Sequence, residues 1–270
     1  MKHKIFDCIT FFRENEQFSL RFNILNKYVD YFVICESLQD HQGKKKKINF
    51  NFKPFLKFEK KIIYLILKEF PNEKMSPWQR QAFQREFIFN GLKNARNNDY
   101  IMFSDPDEIP RPEKLLNLKL KKKYGIFMQN SYCYKFNIFN QYESPWEGTR
   151  ICRKKDLFSV DKLRQKILSK NLRYPFFRID KEKSIEIINN GGWHFNSLMS
   201  PKEISLKLKT FAHNEFSSKK FSSIKIISKK IKKREDLFFR GHNYQKVLLD
   251  KTFPFYVLKN IYRFKKFIDK

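Results

Sequence analysis

The chain has no run of about 18 apolar residues, so no segment reads as a membrane-spanning helix. Its start, Met1-Lys2-His3-Lys4-Ile5-Phe6-Asp7, goes straight into a strand-like pattern and lacks the unbroken apolar stretch of a signal peptide. Cysteine is scarce: Cys8, Cys35, Cys133 and Cys152 lie far apart and form no C-x-x-C, which argues against a zinc site or a redox pair. Buried reduced thiols in a reducing compartment are the better expectation. No RNP strand, zinc finger or basic zipper occurs, and there is no internal repeat or clear linker. Acidic residues are also few, with 28 Asp and Glu against 57 Lys and Arg, a formal net charge of +29. Such a surface favours anionic partners. The excess is mostly Lys in a chain also rich in Asn, Ile and Phe, which fits a coding bias and makes nucleic acid an unlikely partner. With 31 Phe among 270 residues, there is ample material for a large core.

What is present alternates. Ile5–Phe12, Tyr31–Cys35 and Lys61–Leu67 read as strands. Arg13–Tyr28 has helical spacing, and Ser76-Pro77 opens a second helix expected to reach about Ala95. This alternation predicts a mostly parallel α/β sheet flanked by helices. Beyond Tyr124 the pattern changes to aromatic-rich strands, with helical spacing returning at Pro201–His213. The shift to Ser and Lys at Ser217 divides the chain into residues 1–216 and a basic C-terminal extension, 217–270, expected to pack on the first part.

The most informative stretch is Tyr100-Ile101-Met102-Phe103-Ser104-Asp105-Pro106-Asp107-Glu108-Ile109-Pro110. Side chains at i and i+2 of an extended segment share a face, so Asp105 and Asp107 can converge on one hard cation, Mg²⁺ or Mn²⁺. A solvated acidic turn has the same pattern. Glu108 reads either as a supporting partner or as the cap of a helix starting near Pro112.

The order of several fragments resembles glycosyltransferase family 17, the family of β-1,4-mannosyl-glycoprotein N-acetylglucosaminyltransferases. They are Ile5–Phe12 with Glu14-Asn15-Glu16, Leu20–Leu25, Val29–Ser37, His41–Lys44, Trp78-Gln79-Arg80, Gln84-Arg85, Gly91-Leu92, Ser104–Pro110, Gly191–Phe195 and Phe211–Glu215. The family usually carries Asn after the Gln-Arg pair, where this chain has Glu86. The eukaryotic members also carry a membrane anchor; none is expected here, which makes their N-glycan substrate a weaker expectation for this chain.

The resemblance implies an A-type nucleotide-diphospho-sugar transferase fold and a UDP-sugar donor. It also implies a divalent metal at the D-x-D motif and an inverting transfer to a glycan or lipid-linked oligosaccharide. Asp105, Asp107 and His194 are then the metal candidates. Asp7, Arg13, Glu36, Arg85 and Trp193 are candidates for the donor pocket, with Arg85 holding phosphate or orienting Asp105. Arg80, about 140° from Arg85 around the same helix, is not expected at that site. Glu147, in an aromatic loop with Tyr142 and Trp146, and Glu215, beside His213, are candidates for the base. The run Lys229–Arg234 follows Ile224, Ile226 and Ile227 and reads as solvated surface or as a contact with an anionic membrane. The expected location is cytoplasmic, or peripheral on the inner face of a membrane. Two rivals stand beside this reading: a basic nucleic-acid-binding protein, and a metal-dependent nucleotidyl- or phosphotransferase.

Overall fold

Near-continuous apolar runs need cover on both faces, and the first hundred residues supply it. In the computed structural model, which describes residues 3–210 and 216–270, strand β1 (Ile5–Phe11) is followed by helix α1 (Asn15–Leu25) and strand β2 (Tyr31–Ser37). Strand β3 (Ile62–Leu67), helix α2 (Pro77–Glu86) and strand β4 (Tyr100–Ser104) complete the unit. These strands are parallel, in the order β3-β2-β1-β4. Along β2, Phe32 and Ile34 join the aromatic cluster of Phe18, Phe22, Phe50 and Phe55. Val33 and Cys35 face the opposite layer, with Ile88, Leu92 and Phe103.

Helix α2 begins where its sequence predicts. Ser76 accepts from the Gln79 N–H, the Gln79 side chain accepts from the Ser76 N–H, and Pro77 takes the first turn. The α-helix ends at Glu86 and tightens into the turn Phe87–Gly91, short of the expected Ala95. Gly91 packs there directly on Val33, where a β-carbon would collide.

The second half is different. Strands β5 (Glu108–Pro110), β6 (Tyr124–Cys133), β7 (Ile138–Phe139) and β8 (Trp146–Arg153) precede helix α3 (Val160–Lys166) and the long strand β9 (Ile185–Asn196). Helices α4 (Pro201–Thr210), α5 (Lys219–Ser222) and α6 (Ile224–Lys233), strand β10 (Gln245–Lys246) and helix α7 (Phe255–Lys259) follow. Strand β8 is antiparallel to β4 and β6, β6 is antiparallel to β7, and β10 is antiparallel to β7. The sheet is therefore mixed: the expected parallel order runs through β1–β4, and parallel pairing returns where β9 lies beside β6. Parallel pairing needs a crossover between strands, whereas strands that follow each other closely pair antiparallel.

Strand β9 lies between β6, to which it is parallel, and β5, to which it is antiparallel. The Gly191-Gly192 pair makes this possible. Gly192 adopts φ +138°, where a β-carbon would strike the Ile109 carbonyl, and one on Gly191 would meet the backbone of Phe127 and Met128. The close approach sets His194 opposite Glu108 in the register.

Residues 217–270 are bound to the same body. Strand β10 extends the sheet, Phe253 packs on Tyr132 at 5.1 Å between ring centres, and the Asn137 amide donates to the Asp269 carbonyl at 2.8 Å. Helix α6 buries Ile227 completely, in a cluster with Cys133, Ile204, Leu237 and Tyr244. Ile227 faces this core and Ile231 packs against it, while Ile224 is exposed and Ile226 half-buried. All four cysteines are buried and unbonded to one another.

Asp99 ties the base of the parallel layer together. Its buried carboxylate accepts from the Lys4 and Arg96 backbone N–H groups, both at 2.9 Å, and from the Arg96 guanidinium. Burial alone would raise its pKa, but these hydrogen bonds outweigh it and hold the pKa below the ordinary value. The resulting stabilisation is fully present above the unfolded value of about 4 and is lost as pH falls through that value toward the lower folded one. Asp99→Asn is expected to cost about 1.5–3 kcal/mol at pH 7 and less at pH 3. Urea midpoints of the two proteins at both pH values check this; an equal loss at pH 7 and pH 3 would contradict it.

Candidate active site

The carboxylates after β4 lie on a turn. The Glu108 N–H donates to the Asp105 carbonyl at 3.0 Å, with Pro106 at the second position of the turn, so 105–107 is not extended. The two aspartates consequently meet different partners. Asp105 accepts from Arg164 at 2.8 Å and lies 4.0 Å from Arg85. Asp107 lies 3.6 Å from the Lys207 ammonium and 3.8 Å from His194 Nε2.

Both aspartates line one cleft of about 960 Å³, within the size range of ligand sites. Thr10 and Phe12 at the end of β1, Ser37 at the end of β2 and Asp105 after β4 also line it. The cleft therefore opens at the carboxyl ends of the parallel strands, where open α/β sheets bind ligands.

Electrostatics organise its floor. Arg164, on α3, bridges Asp105 at 2.8 Å and the fully buried Glu108 at 2.7 Å. Burial would weaken its proton affinity, but Glu108 and Asp105 raise its pKa above the ordinary value. For Asp105, burial pushes the carboxyl up, and Arg164 and then Arg85 pull it down further than that, to well below the usual range. Lys207, on α4, is likewise held above its ordinary pKa by Asp107, Glu14 and Asp105 despite its burial, and stays an ammonium ion. Arg150 is almost fully buried; burial first, and then the like charge of Arg164, push it down to about 10. Trp146 donates its indole N–H to Glu108 at 2.7 Å and stacks on His194, ring centres 4.8 Å apart at 24°. Glu108 is thus a buried anchor in β5. It is not a helix cap, because Pro112–Lys114 is only a tight turn.

The other sequence candidates divide. Arg85 lines the cleft, but its short ion pair is with Asp161 at 2.8 Å, so it is not a bidentate partner of Asp105. Arg80, as expected, is elsewhere, bonded to the backbone of His41 and Glu73. Glu147 lines the cleft with its oxygens engaged by Arg150 at 3.1 Å and by the Ser169 N–H and hydroxyl. Glu215 and His213 lie outside the described residues.

Four candidates are not in the cleft. Asp7 is in mid-strand, fully buried and paired with Arg21. Glu36 is fully buried and pins the following loop, accepting from Lys46 at 2.6 Å, Asn49 N–H at 2.8 Å, Phe50 N–H at 3.1 Å and the Tyr64 hydroxyl at 2.8 Å. Trp193 is core, with its N–H on the Thr252 carbonyl and its face under Arg111. Arg13 lines a smaller neighbouring cavity of about 270 Å³ that shares Phe12, Glu14 and Lys207 with the cleft.

Sequence reasoning missed Arg164 because it read no element between Arg153 and Gly191. Ser159, which caps α3 by accepting from the Lys162 N–H, is the signal that could have found the helix. A second support comes from Glu86, the departure from the family pattern. Its carboxylate accepts from the Ser159 hydroxyl at 2.5 Å and from the Asp161 and Val160 N–H groups at 3.0 and 3.2 Å. Glu86 thus holds the start of the helix that delivers Arg164. Glu86→Ala is expected to cost about 1–2 kcal/mol of stability, the scale of a lost helix cap. A thermal melt checks it; an unchanged midpoint would contradict the assignment.

Among the described residues no three His, Cys, Asp or Glu side chains form a metal cage. Asp107 and His194 nevertheless present one oxygen and one nitrogen to each other at 3.8 Å. Such a pair fits an ion that completes its shell with substrate phosphate and water. Asp105 fits less well, being committed to Arg164.

The family model described as Glycosyltransferase family 17 matches residues 1–247. The chain is 24% identical over 240 residues to the β-1,4-mannosyl-glycoprotein 4-β-N-acetylglucosaminyltransferases of Rattus norvegicus and Homo sapiens, matching 79% of this chain and 44% of each relative. It therefore spans less than half the length of these curated relatives. Among solved structures, S. aureus TarS 1-349 aligns with TM-score 0.37 and 12% identity, covering 76% of this chain and 63% of that one. A glycosyltransferase involved in the glycosylation of the major capsid of PBCV-1 aligns with TM-score 0.31 and 10% identity, covering 69% and 81%. The match of the family model along most of its length makes this chain a member of glycosyltransferase family 17.

Proposed function

We propose that the chain transfers N-acetylglucosamine or a related hexose, with inversion, from a UDP-sugar to a glycan under construction, such as a surface polysaccharide or a lipid-linked oligosaccharide. The observation that carries this reading is the meeting of Asp107 and His194 with the cations Arg164, Arg85 and Lys207 at the carboxyl ends of the parallel strands. Asp107 and His194 would hold Mn²⁺ or Mg²⁺. When bound, the ion neutralises the donor diphosphate and stabilises the leaving nucleotide.

The chain's own residues supply the rest. Lys207 adds a positive charge to the same side of the cleft, and Arg164 holds Asp105 and Glu108 in place, so the charges are set before the donor arrives. Trp146, backed by His194 and fixed by Glu108, offers an aromatic face for a sugar ring. In the transfer the acceptor oxygen bonds to the anomeric carbon as the bond to the diphosphate oxygen breaks, and the acceptor's proton passes to a carboxylate. Glu147 takes that role here, oriented by Arg150 and Ser169.

Membership of a glycosyltransferase family leaves the nucleic-acid-binding and nucleotidyl-transfer readings without support of their own. Incubation with UDP-N-acetylglucosamine and Mn²⁺ tests the proposal. Release of UDP is expected; release of N-acetylglucosamine 1-phosphate, with the uridylyl group transferred, would contradict it.

A further inference from the structure

The segment Leu172-Arg173-Tyr174-Pro175-Phe176-Phe177-Arg178-Ile179 projects apolar side chains into solvent. Phe176, Phe177 and Ile179 are 90%, 65% and 95% exposed, and Leu172 and Tyr174 are also exposed. Soluble surfaces rarely group large apolar side chains this way without a partner. The loop is nonetheless ordered by its own bonds. The Arg178 N–H donates to the Pro175 carbonyl at 3.1 Å and the Ile179 N–H to the Phe177 carbonyl at 2.9 Å. Lys183 donates to the Pro175 carbonyl, and the Phe176 and Phe177 rings meet edge to face at 5.8 Å.

Cations surround this apolar tip. Arg178 and Lys181 both lie over the Tyr174 ring, at 5.2 and 5.6 Å. Between residues 169 and 183, five basic side chains (Lys170, Arg173, Arg178, Lys181, Lys183) stand against Asp180 and Glu182.

We propose that this loop docks the protein on an anionic lipid bilayer, with Phe176, Phe177 and Ile179 entering the interface and the surrounding cations meeting headgroup phosphates. Aromatic and aliphatic side chains supply the burial, and each nearby basic residue adds electrostatic attraction. The charge of the loop, within a chain of net charge +29, complements such a surface. The loop also begins at the cleft, since Leu168 and Lys170 line it and Ser169 bonds to Glu147. A bilayer bound by this loop therefore lies beside one rim of the active site. The inference concerns attachment, and stands whichever sugar is transferred.

The test is sedimentation of the full chain with phosphatidylcholine vesicles, with and without one-third phosphatidylglycerol, in about 0.1 M NaCl. Wild type is expected to pellet with the anionic vesicles. Phe176→Ser/Phe177→Ser/Ile179→Ser is expected to partition at least about tenfold less, given the apolar burial lost, with an unchanged melting midpoint because the three side chains are exposed. Phe255→Ser/Tyr262→Ser, which removes exposed aromatics elsewhere, should bind like wild type. Binding by the triple variant within twofold of wild type would overturn the proposal, since the net charge alone would then account for attachment. Failure of wild type to bind either vesicle would overturn it as well. Loss of a dimer in the triple variant, with no wild-type vesicle binding, would reassign the loop to self-association.

Discussion

Asp7→Ala is expected to lower the unfolding free energy by about 3–5 kcal/mol, the scale for breaking one side of a buried ion pair. Asp7 and Arg21 are both fully buried and bonded twice, Nε to Oδ2 at 2.7 Å and Nη2 to Oδ1 at 2.5 Å. Arg21 also donates to the Ser104 hydroxyl at 2.9 Å and to the Glu108 carbonyl, so one guanidinium joins β1, α1, the end of β4 and β5. Removing the carboxylate leaves this cation buried with only neutral acceptors. The double variant Asp7→Leu/Arg21→Met should be less destabilised than Asp7→Ala, because no charge is stranded. Urea unfolding of the three proteins checks this. A loss below about 1 kcal/mol in Asp7→Ala would show that the pair is not the anchor described here.

The second large effect concerns activity. Asp107→Asn keeps the shape of the side chain and removes its charge, and the melting midpoint should move little because Asp107 keeps its backbone bond from the Phe195 N–H. UDP release from UDP-N-acetylglucosamine is expected to fall by about 10²–10³-fold, the range typical of losing one preorganised electrostatic group. The loss should persist at saturating Mn²⁺ if Asp107 is a ligand, because His194 alone remains of the facing pair. A fall of less than about threefold would place the ion, or the donor phosphates, elsewhere in the cleft.

Much of this site was legible before folding, and the exceptions have a common cause. Apolar runs located the parallel strands, and Ser76-Pro77 located the start of α2. The Asp-Pro-Asp stretch and the Gly-Gly-Trp-His stretch were recognisable as parts of one site from their order in the family pattern. What misled was carboxylates whose partners are remote in sequence. Asp7, in the middle of β1, and Glu36, near the carboxyl end of β2, read as ligands, but Arg21 neutralises the first and the 46–50 loop satisfies the second. Arg164 had the opposite problem. It meets Asp105 across 59 positions of sequence, on a seven-residue helix with few apolar positions to announce it. The i, i+2 argument for Asp105 and Asp107 failed because Pro106 turns the chain, and a turn sends neighbouring side chains to different partners.

The Asp-Pro-Asp turn and His194 are proposed as a metal-assisted site for a nucleotide-sugar. Calorimetric titration with UDP-N-acetylglucosamine, in Mn²⁺ and again in chelator, measures it directly, with the Asp107→Asn protein as the reference. Binding in Mn²⁺ that weakens sharply in chelator and in the variant is the predicted result. Equal binding by both proteins in both conditions would contradict the claim, as would no binding to a folded chain in either.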